Sequence, residues 1–219
     1  MKLKGVIFDM DGVIVDTVPI HFAAWKRMFA DYGVDFTFED YKQKVDGIPR
    51  TDGAKAILTN LTDDELVEAS DKKQRYFLDV IQGEEIPVYS STIDLINQLK
   101  TKGIKVAVIS SSKNAPSILK RINLYSDLDA IVSGHDIKKG KPNPEIFLMA
   151  AEKLKIKPEE AIVVEDAILG VEAAINAGMK CVAIDRYDNP KRLQKANVVV
   201  KDLSEIQIED IIKLVEGDR

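Results

Sequence analysis

Six short apolar runs recur along this chain, at residues 3–9, 105–110, 130–132, 161–164, 181–184 and 197–200. From the second onward, each is followed by a stretch with helical spacing: 116–123, 144–154, 167–177, 190–195 and 206–216, with 92–102 just ahead of the second run. Strands that alternate with helices of about ten residues predict βαβ units and a parallel sheet. Right-handed crossovers then place helices on both faces, a doubly wound, Rossmann-like α/β architecture. Gly103 and Gly178 are expected to stop two of the helices.

The alternation is interrupted once. After the first run, helices are expected at 17–32, 37–44, 50–60 and 63–82 with no strand between them. Ile20, Ala23, Ala24, Met28 and Phe29 keep a helical spacing, and Gly33 follows as a stop. Thr62 stands three residues before Glu65, the spacing of a capping box. The expected organisation is therefore discontinuous. Residues 1–16 and 85–219 form an α/β core, and 17–84 form an inserted all-helical domain.

Composition removes several classes of function. The net charge is −5, from 31 basic and 36 acidic residues that are interspersed. No basic stripe of the kind nucleic-acid binding requires is present. Cys181, the only cysteine, lies in an apolar run and is expected to be a buried thiol. No run approaches the ~20 apolar residues of a membrane helix, and the N-terminus lacks the pattern of a signal peptide. A soluble, cytoplasmic protein with no membrane partner is expected. Nothing signals an oligomer, so a monomer is expected.

The first run ends in two carboxylates, Asp9 and Asp11, followed by Gly12. Carboxylates at the C-terminal end of such a strand sit at the rim where open α/β sheets bind ligands. Two on one face repel each other, and a hard divalent cation would relieve that. A solvated Asp-Gly turn uses the same residues. Three more strand ends bear on the choice: Ser110-Ser111-Ser112 after the second run, Lys141 on a longer loop after the third, and Glu165-Asp166 after the fourth. Singly, these read as a serine N-cap, a solvated lysine and an acidic N-cap. Jointly they set acid, hydroxyl, base and acid along one rim, a set that suits phosphoryl transfer. Carboxylates from two strand ends can hold Mg²⁺. A lysine and a hydroxyl can hold phosphoryl oxygens. One carboxylate can act as nucleophile, and a second can exchange protons.

Asp9-Met10-Asp11-Gly12-Val13, with Ser110, Lys141 and Glu165-Asp166 in order, resembles the haloacid dehalogenase superfamily, all four motifs included. The helical insertion matches that family's first-type cap domain. The resemblance implies that Asp9 is the nucleophile and a ligand of Mg²⁺. It implies that Asp11 is the general acid/base and a ligand through its carbonyl. Ser110 and Lys141 would hold phosphoryl oxygens, and Asp166 with Glu165 would complete the metal site. Residues 16–25, with His21 and Trp25, resemble the β-phosphoglucomutase subfamily. So do Ser110-Ser111-Ser112-Lys113-Asn114 and Gly47-Ile48-Pro49-Arg50. In that resemblance His21 pairs with Asp11, while Arg50, Lys113 and the rest of the Ser112-Lys113-Asn114 tail hold a second, non-transferring phosphate. Without it, His21 and Trp25 read as packing residues and Arg50 as a solvated first-turn residue.

Three positions depart from the subfamily pattern. Asp46 stands where a lysine is usual, Asp52-Gly53-Ala54 lacks a serine, and Tyr89-Ser90-Ser91 replaces Tyr-Pro-Gly. The resemblance implies a Mg²⁺-dependent mutase that interconverts β-glucose 1-phosphate and glucose 6-phosphate through an aspartyl phosphate. A phosphatase of a sugar phosphate or other small phosphomonoester shares the same core. A non-catalytic binding protein on the scaffold is the third alternative, although it has no need of both Asp9 and Asp11.

Overall fold

The structure, a computed structural model, describes residues 2–83 and 85–217. Six parallel strands form one sheet in the order β3-β2-β1-β4-β5-β6. They are β1 (Gly5–Asp9), β2 (Lys105–Ile109), β3 (Ala130–Val132), β4 (Ala161–Glu165), β5 (Lys180–Ile184) and β6 (Val198–Val200). All six expected runs are strands, because each is apolar enough to be covered on both sides. Along β1, Val6 and Phe8 face one apolar cluster and Ile7 faces the other. Helices α5 (Ser90–Thr101), α6 (Ala115–Arg121) and α9 (Ile208–Glu216) cover the first face; α7 (Glu145–Leu154) and α8 (Ile168–Asn176) cover the second. Cys181 is fully buried in the second cluster.

Chain order reverses between β1 and β4, which are neighbours although two strands lie between them in sequence. The groove outside the C-terminal strand ends at such a reversal is where open sheets bind ligands. Asp9 and Glu165, the last residues of β1 and β4, flank it.

The insertion consists of α1 (Val18–Ala30), α2 (Phe38–Asp40), α3 (Arg50–Ile57) and α4 (Asp63–Ile81). It has its own apolar cluster, built on Trp25, Met28, Phe29, Phe36, Tyr41 and Leu66. Thr62 and Glu65 cap α4 reciprocally, as their spacing predicts. Two segments differ from expectation. The helix expected at 37–44 is a short α2 followed by a π-helical turn, Tyr41–Val45, closed by the Asp46 N–H to Tyr41 O bond at 2.9 Å. The wider turn carries one extra residue, and Asp46 emerges at the strand ends. The expected helix 190–195 is a tighter 3₁₀ turn, Pro190–Leu193, because the chain returns at once to pair Asn197 with Cys181.

The two chain crossings between core and insertion run side by side. Val15 and Val88 pair as an antiparallel bridge, with Asp16 N–H donating to Pro87 O and Tyr89 N–H to Ile14 O, each at 2.9 Å. Glu84, where the expected domain boundary falls, lies outside the described residues.

Candidate active site

Asp9, Asp11, Ser110, Lys141 and Asp166 line one cleft, roofed by Trp25, Val45 and Ile48 of the insertion. The cleft holds about 50 Å³. That is room for roughly three or four waters and far less than a sugar phosphate.

Lys141 is the electrostatic centre. Its Nζ donates to Asp9 Oδ1 at 2.6 Å and also to Glu165 Oε1. Burial pulls its pKa down, but Asp9 and Glu165 outweigh burial and hold the ammonium charged. Glu165 Oε2 accepts the N–H groups of Asp166 and Ala167, both at 2.7 Å. Both oxygens of Glu165 are thus engaged, one by a cation and one by the entrance to α8. A side chain at Gly170 would occupy the place of the Glu165 carboxylate, so the acid fits only against bare backbone. Burial raises the Asp9 carboxyl well above the usual range; Lys141 opposes that shift, and Glu165 and Asp11 add to it. Asp166 is raised by burial and then by Asp46, Glu165 and Asp9. Its Oδ2 is buried without a partner, while Arg192 Nη2 fixes its carbonyl at 2.6 Å.

Asp11 sits in a different field. Its Oδ1 accepts from Thr17 Oγ1 and lies 3.2 Å from His21 Nε2, and its Oδ2 accepts from Ser110 Oγ at 2.9 Å. Burial pushes this carboxyl up, but His21 and the hydrogen bonds from His21, Thr17 and Ser110 bring it to about 2. Burial and the neighbouring Lys73 lower the His21 pKa, against Asp11. A neutral ring then donates through Nε2 to Asp11 and accepts at Nδ1 from Lys73 Nζ, 2.8 Å away. Lys73, on α4, is 1 % exposed. It lies 4.9 Å from the Phe77 ring centroid, and Phe77 also stacks on His21. A hydrogen-bonded chain therefore runs from the strand-end Asp11 through His21 into the helical insertion.

Burial, with Arg50, brings the Lys73 pKa to about 7 from an ordinary 10.5. The unfolded chain binds this proton up to about pH 10, while the folded chain releases it near 7. Folding is thus favoured as pH rises through that window, by up to about 1.4 kcal/mol per pH unit from this group alone. Lys73→Met lacks the dependence. The difference in Tm between wild type and Lys73→Met is expected to shift in favour of wild type from pH 7 to pH 9. An unchanged difference would show that Lys73 stays charged.

The remaining expected site residues divide. Gly47, Arg50, Ser111 and Ser112 line the same cleft as His21 and Trp25. Ser111 Oγ donates to Gly47 O at 2.6 Å, joining core to insertion. Arg50 Nη1 donates to Ser70 O at 3.3 Å. Lys113 is exposed and lies outside the cleft lining. The Asn114 and Gln74 side chains form a reciprocal amide pair, at 2.7 and 3.1 Å, across the core–insertion boundary. Lys73, Thr17, Gln74 and Arg192 were not among the residues expected from sequence. For Lys73 a signal exists: it is a lysine on the inward stripe of α4, in step with Leu66, Ala69, Ser70 and Phe77.

The profile of the haloacid dehalogenase-like hydrolases matches residues 6–184. The chain belongs to that family. Among haloacid dehalogenase-like hydrolases it is 34 % identical over 216 residues to a β-phosphoglucomutase of Bacillus subtilis, covering 94 % of this chain and 93 % of that one. It is 32 % identical over 206 residues to a phosphorylated carbohydrates phosphatase of Thermotoga maritima, covering 90 % and 93 %. A crystal structure of β-phosphoglucomutase from Clostridium difficile superposes with a TM-score of 0.88 at 30 % identity, over 98 % of this chain and 97 % of that one. The haloacid dehalogenase-like fold, with its inserted helical cap, is therefore shared over essentially the whole chain.

Proposed function

We propose that the protein is a Mg²⁺-dependent phosphotransferase of the β-phosphoglucomutase type, acting on glucose phosphates through an aspartyl phosphate on Asp9. The observation that carries this reading is the Asp11–His21–Lys73 chain. It ties the proton-transfer group of the core to the cap, so that Asp11 acquires its full set of partners only when the cap is down. An enzyme that must favour a sugar hydroxyl over water gains from that dependence. The residues 17–84 would move as the cap on the Val15–Val88 hinge, and 1–16 with 85–219 would stay as the base.

The donor set fits Mg²⁺. Among the described residues no three His, Cys, Asp or Glu side chains form a ready metal cluster. Mg²⁺, however, is commonly held by one or two carboxylates together with water and the phosphate itself. Asp9 and Asp166 supply the carboxylates, Asp166 with an unpartnered oxygen. In this reading Glu165 stands beside them and the Asp11 carbonyl adds a main-chain oxygen. When bound, the ion supplies positive charge against the transferring phosphoryl oxygens.

Asp9 attacks phosphorus in line; its carboxylate–phosphorus bond forms as the phosphorus–oxygen ester bond breaks. Lys141 and Ser110 steady the phosphoryl oxygens. Ionised Asp11 takes the proton from the sugar hydroxyl that next attacks the aspartyl phosphate, and returns it to a leaving oxygen in the other half-reaction. Arg50, with Ser112, Lys113 and Asn114, would hold the second phosphate once the cap has opened and reclosed around substrate.

A sugar-phosphate phosphatase is the second reading. It is favoured by Asp46, an acid on the cleft wall, and by Asn114 being engaged with Gln74. One assay separates them. Protein stripped with EDTA, then given Mg²⁺, β-glucose 1-phosphate and a trace of glucose 1,6-bisphosphate, is expected to form glucose 6-phosphate. Release of inorganic phosphate without glucose 6-phosphate would replace the mutase with the phosphatase. Full activity in EDTA would remove the metal from either.

A further inference from the structure

We infer that Asp46 is a specificity-determining residue that accepts a hydrogen bond from a hydroxyl on the uncharged, polyhydroxy part of a phosphate monoester. The inference rests on the phosphoryl-transfer reading above and names what that site selects. The position is set by backbone. The π-helical turn Tyr41–Val45 ends at Asp46, and Gly47 follows with φ +75°. A Cβ on Gly47 would lie 3.4 Å from Lys141 Cδ and 3.7 Å from Ala167 Cβ. The loop thus lies directly on the strand-end machinery, and Ser111 Oγ pins it through Gly47 O.

Asp46 is 7 % exposed and lines the cleft with Asp9, Lys141 and Asp166. Its Oδ2 is buried with no partner. Among the described residues no lysine or arginine forms an ion pair with it at 4 Å or less, although the charges of Lys141 and Arg192 act on it. A buried carboxylate oxygen left without a donor is an uncommon feature that calls for a partner. That partner is either a cation, as proposed for Asp166 Oδ2, or a hydrogen-bond donor, and the measurements below tell the two apart. A second phosphate at this wall would meet Asp46 as well as Glu165 and Asp166, whereas a sugar hydroxyl donates to a carboxylate and needs no counter-charge. A site built to bond a substrate hydroxyl also rejects analogues that lack it, because its own polar group is then stranded.

The test compares kcat/KM for two monoesters in wild type, Asp46→Asn and Asp46→Ser. One is glucose 6-phosphate, with hydroxyls on its leaving group; the other is p-nitrophenyl phosphate, with none. The ratio of the first to the second is expected to fall about tenfold or more in both variants. Half-saturating Mg²⁺ is measured alongside. An unchanged ratio overturns the inference, and so does a tenfold rise in half-saturating Mg²⁺ with the ratio constant, which would make Asp46 a metal ligand. Calorimetry gives a readout free of turnover. Glucose 6-phosphate is expected to bind Asp9→Asn more tightly than the Asp9→Asn, Asp46→Asn double variant by a similar factor, and equal affinity overturns the inference. If wild type turns over neither ester, the phosphoryl-transfer reading fails while the calorimetric comparison still decides Asp46.

Discussion

Asp9→Asn is expected to lose turnover on the order of 10⁴- to 10⁶-fold while keeping the fold. The carboxamide is isosteric and cannot form an acyl phosphate. It leaves Lys141 its second carboxylate, Glu165. It also removes one acid from a crowded, buried group in which burial, Glu165 and Asp11 all raise the Asp9 pKa against Lys141. The thermal midpoint is therefore expected to equal or exceed that of wild type. Single-turnover measurement with a phosphate donor and a scan of unfolding test both halves. Activity within tenfold of wild type would end the aspartyl-phosphate proposal. A large loss of stability would show instead that Asp9 is needed to neutralise Lys141.

Lys141→Met should have the largest effect on stability. The ammonium is buried between Asp9 and Glu165, and removing it strands two acids away from water. Breaking a buried pair in this way costs about 3–5 kcal/mol, which corresponds to a fall in Tm of roughly 10 °C for a chain of this size. The sign with pH follows from the same contact. Asp9 loses the partner that opposed its raised pKa, so the folded variant binds a proton that the unfolded chain releases. The variant should regain stability as pH falls from 8 toward 5, narrowing its gap to wild type. A gap that widens on acidification would mean that Asp9 does not carry the stranded charge.

Much of this could be anticipated from residue order. Strands of a parallel sheet are apolar on both faces, so all six announced themselves as short runs, and the strand-end polar groups followed from knowing where each run stopped. The contact between Asp11 and His21 was expected through the family pattern at 16–25 and is present. Lys73 was missed although it falls on the inward stripe of α4, because a lysine on an amphipathic helix ordinarily faces water. Only the packing of α4 on α1 turns it inward beneath Trp25 and Phe77. The π-helical turn was hidden for a related reason. Its residues are ordinary helix formers, and the extra residue is dictated by where Asp46 and Gly47 must land. Gln74 on Asn114 joins segments 40 residues apart and leaves no local pattern.

The socket at Gly170 has a consequence for how this sequence can change. The Glu165 carboxylate lies where a Cβ at position 170 would stand, and its two oxygens serve Lys141 and the start of α8. Positions 165 and 170 therefore form a single unit of substitution. Glycine at 170 loses its constraint once a shorter acid stands at 165, and alanine at 170 is intolerable until it does. Among relatives the two positions should vary together, five residues apart on one strand–helix corner, irrespective of which sugar each enzyme handles.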